Sequence, residues 1–386
     1  MELIPRLFKD SLQSYFLFGP RGTGKSQWVS QAYDNPLTIN LLEPETHRSL
    51  HAHPERLREL IKAHPESKTV VIDEVQKVPE VLSVVHDLIE KKKGVRFVLT
   101  GSSARKLKRS GVDLMAGRAI VLHMHPFMAS ELGNLFCLED SLHYGLLPLV
   151  LGAKDREMTL KSYIGVYLRE EVQMEALVRN VGQFSRFLEA ATFSQGSVLN
   201  LSNISSDCGV ERKTVEGYVK ILEDLLLSYR LPVFTKRAKR ETIVHPKFYY
   251  FDAGVYRSLR PSGPLDTPEE INGSALETLV FQNLKAWNSY RRSPNEIYYW
   301  RTKSGSEVDF IVYGKDGLFA IEVKNSNRIR EEDLRSLNTF LEDYPQAQGY
   351  FLYRGKDALK KGKILCLPCE DFLKKLHPKN SKLWTA

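Results

Sequence analysis

The chain has 386 residues, 42% of them hydrophobic and 26% charged, with 55 Lys plus Arg against 47 Asp plus Glu and a formal net charge of +8. That composition excludes bulk disorder and allows two or three domains, each with its own core. The absence of any run of about 18 apolar residues argues against a membrane span, and a mildly basic balance suits either a polyanionic partner such as nucleic acid or a surface with a plain lysine excess.

The N-terminus, from Met1 to Asp10, lacks the long apolar stretch of a signal peptide. Residues 1–130 alternate short apolar runs with helical patterns. The runs are Tyr15–Phe18, Leu37–Leu42, Thr69–Ile72, Arg96–Thr100 and Ala119–His123. Buried strands separated by helices predict an α/β region with a parallel sheet. The first run leads straight into Gly19-Pro20-Arg21-Gly22-Thr23-Gly24-Lys25-Ser26, with a helical pattern behind it. This strand–loop–helix setting is what a phosphate-binding loop requires: the glycines let backbone N–H groups turn inward around phosphates, and the helix N-terminus adds partial positive charge. Lys25 is expected to reach the β- and γ-phosphates of ATP and Ser26 to bind Mg²⁺.

The run Thr69-Val-Val-Ile ends in Asp73-Glu74. Asp73 is placed to hold Mg²⁺ through its water shell and Glu74 to polarise the attacking water; two acids in an ordinary surface turn are the bland alternative. Phe97-Val-Leu-Thr-Gly-Ser102-Ser103 is a further buried strand with a polar end. Ser102 or Thr100 is positioned to orient water near the γ-phosphate, unless the serine simply caps a helix. The pairs His51/His53 and His123/His125 have no evident third ligand and are left unassigned.

Together these residues resemble an AAA+ ATPase. Gly19–Ser26 matches its Walker A motif, Asp73-Glu74 its Walker B, and Thr100–Ser103 its sensor 1. The resemblance implies that the five strands lie in the order 5-1-4-3-2. More narrowly, Leu114-Met-Ala-Gly-Arg118, Pro126-Phe127 and Glu131 fit a bacterial and archaeal group in which an AAA+ domain precedes an uncharacterised C-terminal domain. Arg118 is the candidate arginine finger, acting on a neighbouring subunit in a homo-oligomer, or else an arginine in a surface salt bridge. Arg169, in Tyr167-Leu-Arg-Glu-Glu171, is a second candidate, as a lid arginine.

Residues 131–181 read as a helical lid or connector and residues 182–260 as a winged helix-turn-helix. Asn203–Gly209 and Val210–Leu222 form helix, glycine turn and helix, with Val215, Val219, Leu222 and Leu226 at helical spacing. Tyr229–Phe234 and Phe248–Phe251 are expected to pair as a hairpin around Lys236-Arg-Ala-Lys-Arg240. The pattern resembles a winged helix with a basic wing, used either on DNA or for packing within the chain.

Arg260–Pro268, dense in Pro and Gly, reads as a linker, and residues 270–386 follow as a further α/β domain. Its order is an amphipathic helix over Gly273–Leu284, strands at Glu296–Arg301, Glu307–Val312 and Ala320–Lys324, a helix near Glu331–Leu341 and a strand at Gly349–Tyr353. This αβββαβ order resembles the PD-(D/E)xK nuclease fold. Asp309 and Glu322, with Glu277, are then candidate ligands for Mg²⁺, and Lys324, on the same face of its strand as Glu322, a candidate to orient or deprotonate water. The same fold also serves as a binding module, so an ATP-dependent switch whose C-terminal domain grips a partner without cutting stands beside the ATPase–nuclease reading. Cys366 and Cys369 form a CxxC, a redox pair or half of a zinc site in principle, but inside a buried-strand pattern cysteine acts as a small hydrophobe. Four cysteines make no disulfide framework and imply a reducing compartment, the cytoplasm.

Overall fold

The computed structural model of the chain describes residues 4–91, 94–102, 107, 118–168, 180–242, 245–264, 266–291, 293–380 and 383–384. These residues divide into two compact units. One comprises Phe8–His125 with Asp224–Leu226, and the other comprises Met1–Leu7, Pro126–Glu223 and Leu227–Ala386.

The first unit is built on five strands: β1 (Tyr15–Phe18), β2 (Leu37–Asn40), β3 (Thr69–Asp73), β4 (Arg96–Gly101) and β5 (Ile120–His123). They lie in the order β2-β3-β4-β1-β5 and pair parallel throughout. This is the expected order, and the strand limits agree with the apolar runs to within two residues. Parallel strands cannot be joined by tight turns, so helices cross over between them and cover the sheet faces, which is why the inner strands are apolar on both sides. Val70, Ile72, Phe97 and Leu99 of the sheet pack in one core with Leu50, Leu57, Leu82 and Val85 of the helices. Leu226 was expected on the helix that begins at Arg212. The helix ends instead at Asp224, and Leu226, with φ of 61°, packs against this first core.

In the second unit the segment after Pro126 forms short helices at Ala129–Leu132, Leu138–Tyr144, Pro148–Leu151 and Arg156–Ser162. Glu131 is sealed in this region. Its carboxylate accepts from the backbone N–H groups of Leu7 (2.6 Å) and Met128 (2.8 Å) and pairs with Arg6 at 3.2 Å. A buried acid held by two N–H donors and a guanidinium is satisfied on every side, so it anchors the N-terminal residues.

Helices Leu201–Cys208 and Arg212–Asp224 flank Gly209, whose φ of 63° makes the turn. A three-stranded sheet follows, β6 (Ser197–Val198), β8 (Lys247–Tyr250) and β7 (Ser228–Leu231), with β8 in the middle and antiparallel to both. The basic segment between β7 and β8 packs against the chain's own C-terminal region. Phe234 donates its backbone N–H to Tyr299 (2.7 Å), Tyr299 donates back to Pro232 (3.0 Å), and the Phe234 ring enters a core with Trp300, Phe340 and Tyr344. Of the four basic residues there, Lys236 pairs with Glu296, and Arg240 with Asp343 (2.8 Å) and Glu342 (3.5 Å).

The C-terminal part opens with the helix Pro268–Ser289, capped by Thr267 and buried along most of its length. A six-stranded sheet comes next: β9 (Glu296–Arg301), β10 (Glu307–Gly314), β11 (Gly317–Val323), β12 (Gln348–Tyr353), β13 (Leu359–Lys361) and β14 (Ile364–Pro368). The strand order is β13-β14-β12-β11-β10-β9, with β9, β10 and β11 antiparallel and β11, β12 and β14 parallel. The helix Arg335–Asp343 lies over one face. The element order is the predicted αβββαβ, extended by β13, β14 and the helix Cys369–Lys375. Cys366 and Cys369 are buried and free, and burial pushes the Cys369 thiol up to about 12. Among the described residues no helix is long and apolar enough to cross a membrane.

Candidate functional site

β1 is followed by Gly19, where a Cβ would lie 2.2 Å from the Met124 carbonyl oxygen, so only glycine lets the chain leave the sheet here. Gly22 and Gly24 have φ of 79° and 86°, in the left-handed region that costs a side-chain-bearing residue free energy. The Thr23 hydroxyl ties the loop by donating to the Pro20 carbonyl at 2.8 Å. Lys25 opens the helix Lys25–Ala32. Its buried ammonium donates to the carbonyls of Gly19 (2.6 Å) and Pro20 (3.1 Å). That helix has no acid in its first turn and no side-chain cap, which leaves its N-terminal N–H groups directed at the loop. Arg21 and Ser26 are exposed at the loop surface.

The two acids at the end of β3 are held by a network that sequence reading found only in part. Thr100, fully buried on β4, donates its hydroxyl to Asp73 Oδ1 and accepts the Glu74 backbone N–H at 3.3 Å. Its hydroxyl is therefore engaged with the acid pair. Glu74 adopts φ of 59°, a strained conformation of the kind held at functional sites. Its Oε2 accepts from Gln76 Nε2 at 2.6 Å, and the same Gln76 amide donates to Ser102 Oγ at 3.2 Å. Gly101 makes room, since a Cβ there would lie 2.4 Å from Gln76 Oε1. Gln76 was not anticipated. A glutamine two residues after an acid pair carries no signal along the chain, because Gly101 and Ser102 come beside it only through the sheet.

Arg118 pairs with Glu90 at 2.6 Å on the surface of its own unit, which is the arrangement of the alternative reading. Ser103, residues 114–117 and Arg169 lie outside the described residues.

The acids of the C-terminal part are brought together around an unexpected group. Lys247, on the central strand β8 and with a side chain 2% exposed, places its ammonium 2.6 Å from Glu307, 3.3 Å from Glu277 and 3.6 Å from Asp309. Tyr249, one strand repeat further on the same face, donates its hydroxyl to Glu277. Asp309 sits where the β9–β10 ladder slips between Val308 and Ile311, and such a bulge re-aims side chains. Its Oδ2 accepts the Val323 N–H at 2.9 Å. One step beyond the Phe310–Ile321 pair, Asp309 and Glu322 face each other across β10 and β11. Burial and the neighbouring Glu277 push Asp309 up to about 7, against the opposing pull of Lys247. Burial and then Asp309 push Glu322 well above the usual carboxylate range, and Glu322 Oε2 is buried without a hydrogen-bond partner. Burial works to strip the proton from Lys247, but Glu277, Tyr249, Asp309 and Glu307 hold its pKa well above the ordinary value. Lys324 lies one residue past β11, and its ammonium faces Asp333 at 3.6 Å.

The expectation that Glu277, Asp309 and Glu322 hold Mg²⁺ thus meets a different arrangement. Among the described residues no group of three or more His, Cys, Asp or Glu is disposed to hold a metal ion. Lys247 was missed, although a lysine inside the apolar run Lys247-Phe-Tyr-Tyr250 is a warning that buried acids lie opposite.

Residues 12–133 match the family described as AAA domain. The N-terminal region is an AAA domain of the P-loop ATPase class. Residues 137–266 and 272–372 match two families described as domains of unknown function, DUF8612 and DUF4143. An uncharacterised protein of Mycobacterium tuberculosis is 23% identical over 314 residues, covering 80% of this chain and 70% of its own. An uncharacterised protein of Haemophilus influenzae is 23% identical over 346 residues, covering 82% and 83%. A crystal structure of protein VC1899 from Vibrio cholerae aligns over 80% of this chain and 89% of that one, with 11% identity and a TM-score of 0.22, too low to carry an argument.

Proposed function

We propose that the chain binds ATP with Mg²⁺ and hydrolyses it, and that the turnover drives work on nucleic acid. What carries the reading is the pairing of two prepared sites in the first unit: a glycine-bent loop with a buried lysine, and an acid pair held by Thr100 and Gln76. The loop N–H groups of residues 19–26 wrap the phosphates, and Lys25 exchanges the Gly19 and Pro20 carbonyls for phosphate oxygens. Ser26 and Asp73 are the residues suited to hold Mg²⁺, which when bound neutralises phosphate charge and orients the leaving group. Thr100 fixes the Asp73 carboxylate. Glu74 takes the general-base position and polarises water, with Gln76 and Ser102 behind it. Arg118 supplies transition-state charge to a neighbouring copy, which requires release of Glu90.

The C-terminal part, with its αβββαβ order and its acids at 309 and 322, supports a nucleic-acid-directed domain similar to PD-(D/E)xK nucleases. A second reading, an ATP-driven switch whose C-terminal domain binds without cutting, draws support from Lys247, because the acids there already share a cation. The deciding experiment measures phosphate release and cleavage of single- and double-stranded DNA and RNA, with and without ATP. Lys25→Ala is expected to lose nucleotide affinity and Glu74→Gln to bind ATP but turn over poorly. Full turnover in either overturns the ATP-site assignment. Cleavage lost in Asp309→Ala/Glu322→Ala establishes the nuclease, and intact ATPase without cleavage establishes the switch.

A further inference from the structure

The cation at the centre of the carboxylate cluster is the Lys247 ammonium. An ammonium donates to oxygens at roughly 2.7–2.9 Å and pairs electrostatically somewhat further out. Mg²⁺ draws its oxygen ligands in to about 2.0–2.1 Å. Lys247 Nζ lies 2.6, 3.3 and 3.6 Å from oxygens of Glu307, Glu277 and Asp309, so an ammonium occupies the place between these carboxylates that a divalent ion would have to take.

The cluster also needs a positive charge. Asp309 and Glu322 come to face each other from adjacent strands, and like charges directly opposite repel. The charge arrives from β8, a separate sheet, on a lysine that shares Glu277 with the Tyr249 hydroxyl and whose ammonium lies 5.4 Å from the Tyr299 ring centre. Glu322 Oε2, buried and without a partner, marks one acceptor that the lysine leaves unused.

We propose that Lys247 is the resident cation of this carboxylate cluster, a tethered ammonium that holds β8 to the C-terminal sheet and keeps oxygen-seeking divalent ions out. Removing its charge leaves Glu277, Glu307, Asp309 and Glu322 free to gather around one such ion, with the orphaned Glu322 oxygen as a ready ligand. The proposal is independent of the ATP reading, since every residue in it belongs to the second unit.

Mn²⁺ alone serves as the probe, by equilibrium binding and electron paramagnetic resonance on nucleotide-free full-length protein. Asp309→Asn identifies what binds at the cluster as opposed to the phosphate loop. Wild type is expected to show no Asp309-dependent Mn²⁺ site. Lys247→Met, which keeps the length of the side chain without its charge, is expected to gain one, at least tenfold tighter than anything at the cluster in wild type and abolished in Lys247→Met/Asp309→Asn. An Asp309-dependent site in wild type as tight as in Lys247→Met overturns the proposal, as does a folded Lys247→Met protein that gains no site. Should Lys247→Met fail to fold, Lys247→Gln replaces it, and the wild-type measurement by itself remains able to overturn the idea. ATP hydrolysis, measured alongside, is expected to be unchanged in Lys247→Met, which separates this result from the state of the nucleotide site.

Discussion

Thr100→Val tests whether the acid pair is organised as described. Valine keeps the shape of threonine, and Thr100 is fully buried, so the packing of β4 is retained while the hydroxyl is lost. Two interactions disappear together. Asp73 loses its charge-assisted donor, a bond of a class worth about 1.5–3 kcal/mol, and the Glu74 N–H loses its acceptor at 3.3 Å. If the first loss falls on the reacting complex, where Asp73 must be aligned, the rate drops by roughly ten- to a hundredfold, because about 1.4 kcal/mol is a factor of ten. Nucleotide affinity should change much less, since Lys25 and the loop amides are untouched. Phosphate release gives the turnover, and titration with a fluorescent ATP analogue gives the affinity. Thr100→Ser, which restores the hydroxyl, should recover most of the activity. A Thr100→Val enzyme turning over within about twofold of wild type would refute the argument that this hydroxyl organises the site.

Asp252 offers a pH test of the second unit. It is fully buried, accepts from the N–H groups of Leu146, Gly254 and Val255, and is pushed up to about 6 by burial. Its folded-state pKa is raised, so the folded state binds more protons than the unfolded state between about pH 4 and 6. Stability from this residue is complete below that window and is lost as pH rises through it, by about 3 kcal/mol in all. Urea melts of wild type and Asp252→Asn should therefore differ less and less in favour of wild type from pH 4 to 7.5, and a pH-independent difference would sink the assignment. In the basic segment after β7, Lys236 and Arg240 are engaged by acids, whereas Arg237 and Lys239 are exposed. If this segment touches nucleic acid, Arg237→Ala/Lys239→Ala should reduce the salt slope of binding by about 2, and Lys236→Ala/Arg240→Ala by less. Equal effects would show that the acid pairs open on binding.

The elements of the candidate nucleotide site were largely readable along the chain because they are local. The loop, its lysine and its helix are contiguous, and the strands that place Asp73 and Thr100 are apolar runs bounded by turns. Gln76 escaped because a glutamine after an acid pair says nothing until the sheet brings Gly101 and Ser102 beside it. The C-terminal order of helix and strands was equally readable from periodicity. The charge at its centre was not, because Lys247 and Asp309 are 62 positions apart and sit on strands of different sheets.

By itself, then, the sequence determined the α/β character of both ends, the succession of strands and helices along the chain, the phosphate loop with Asp73-Glu74, and the presence of acids at 277, 309 and 322. Each follows from residue periodicity or from a motif whose parts are close in the chain. Only the tertiary structure brought the Lys247 ammonium to those acids and paired half of the expected basic wing with Glu296, Glu342 and Asp343. Partners in a charge network are chosen by proximity in space, and burial sets how strongly each charge demands one. Neither quantity is written in the spacing of residues along the chain.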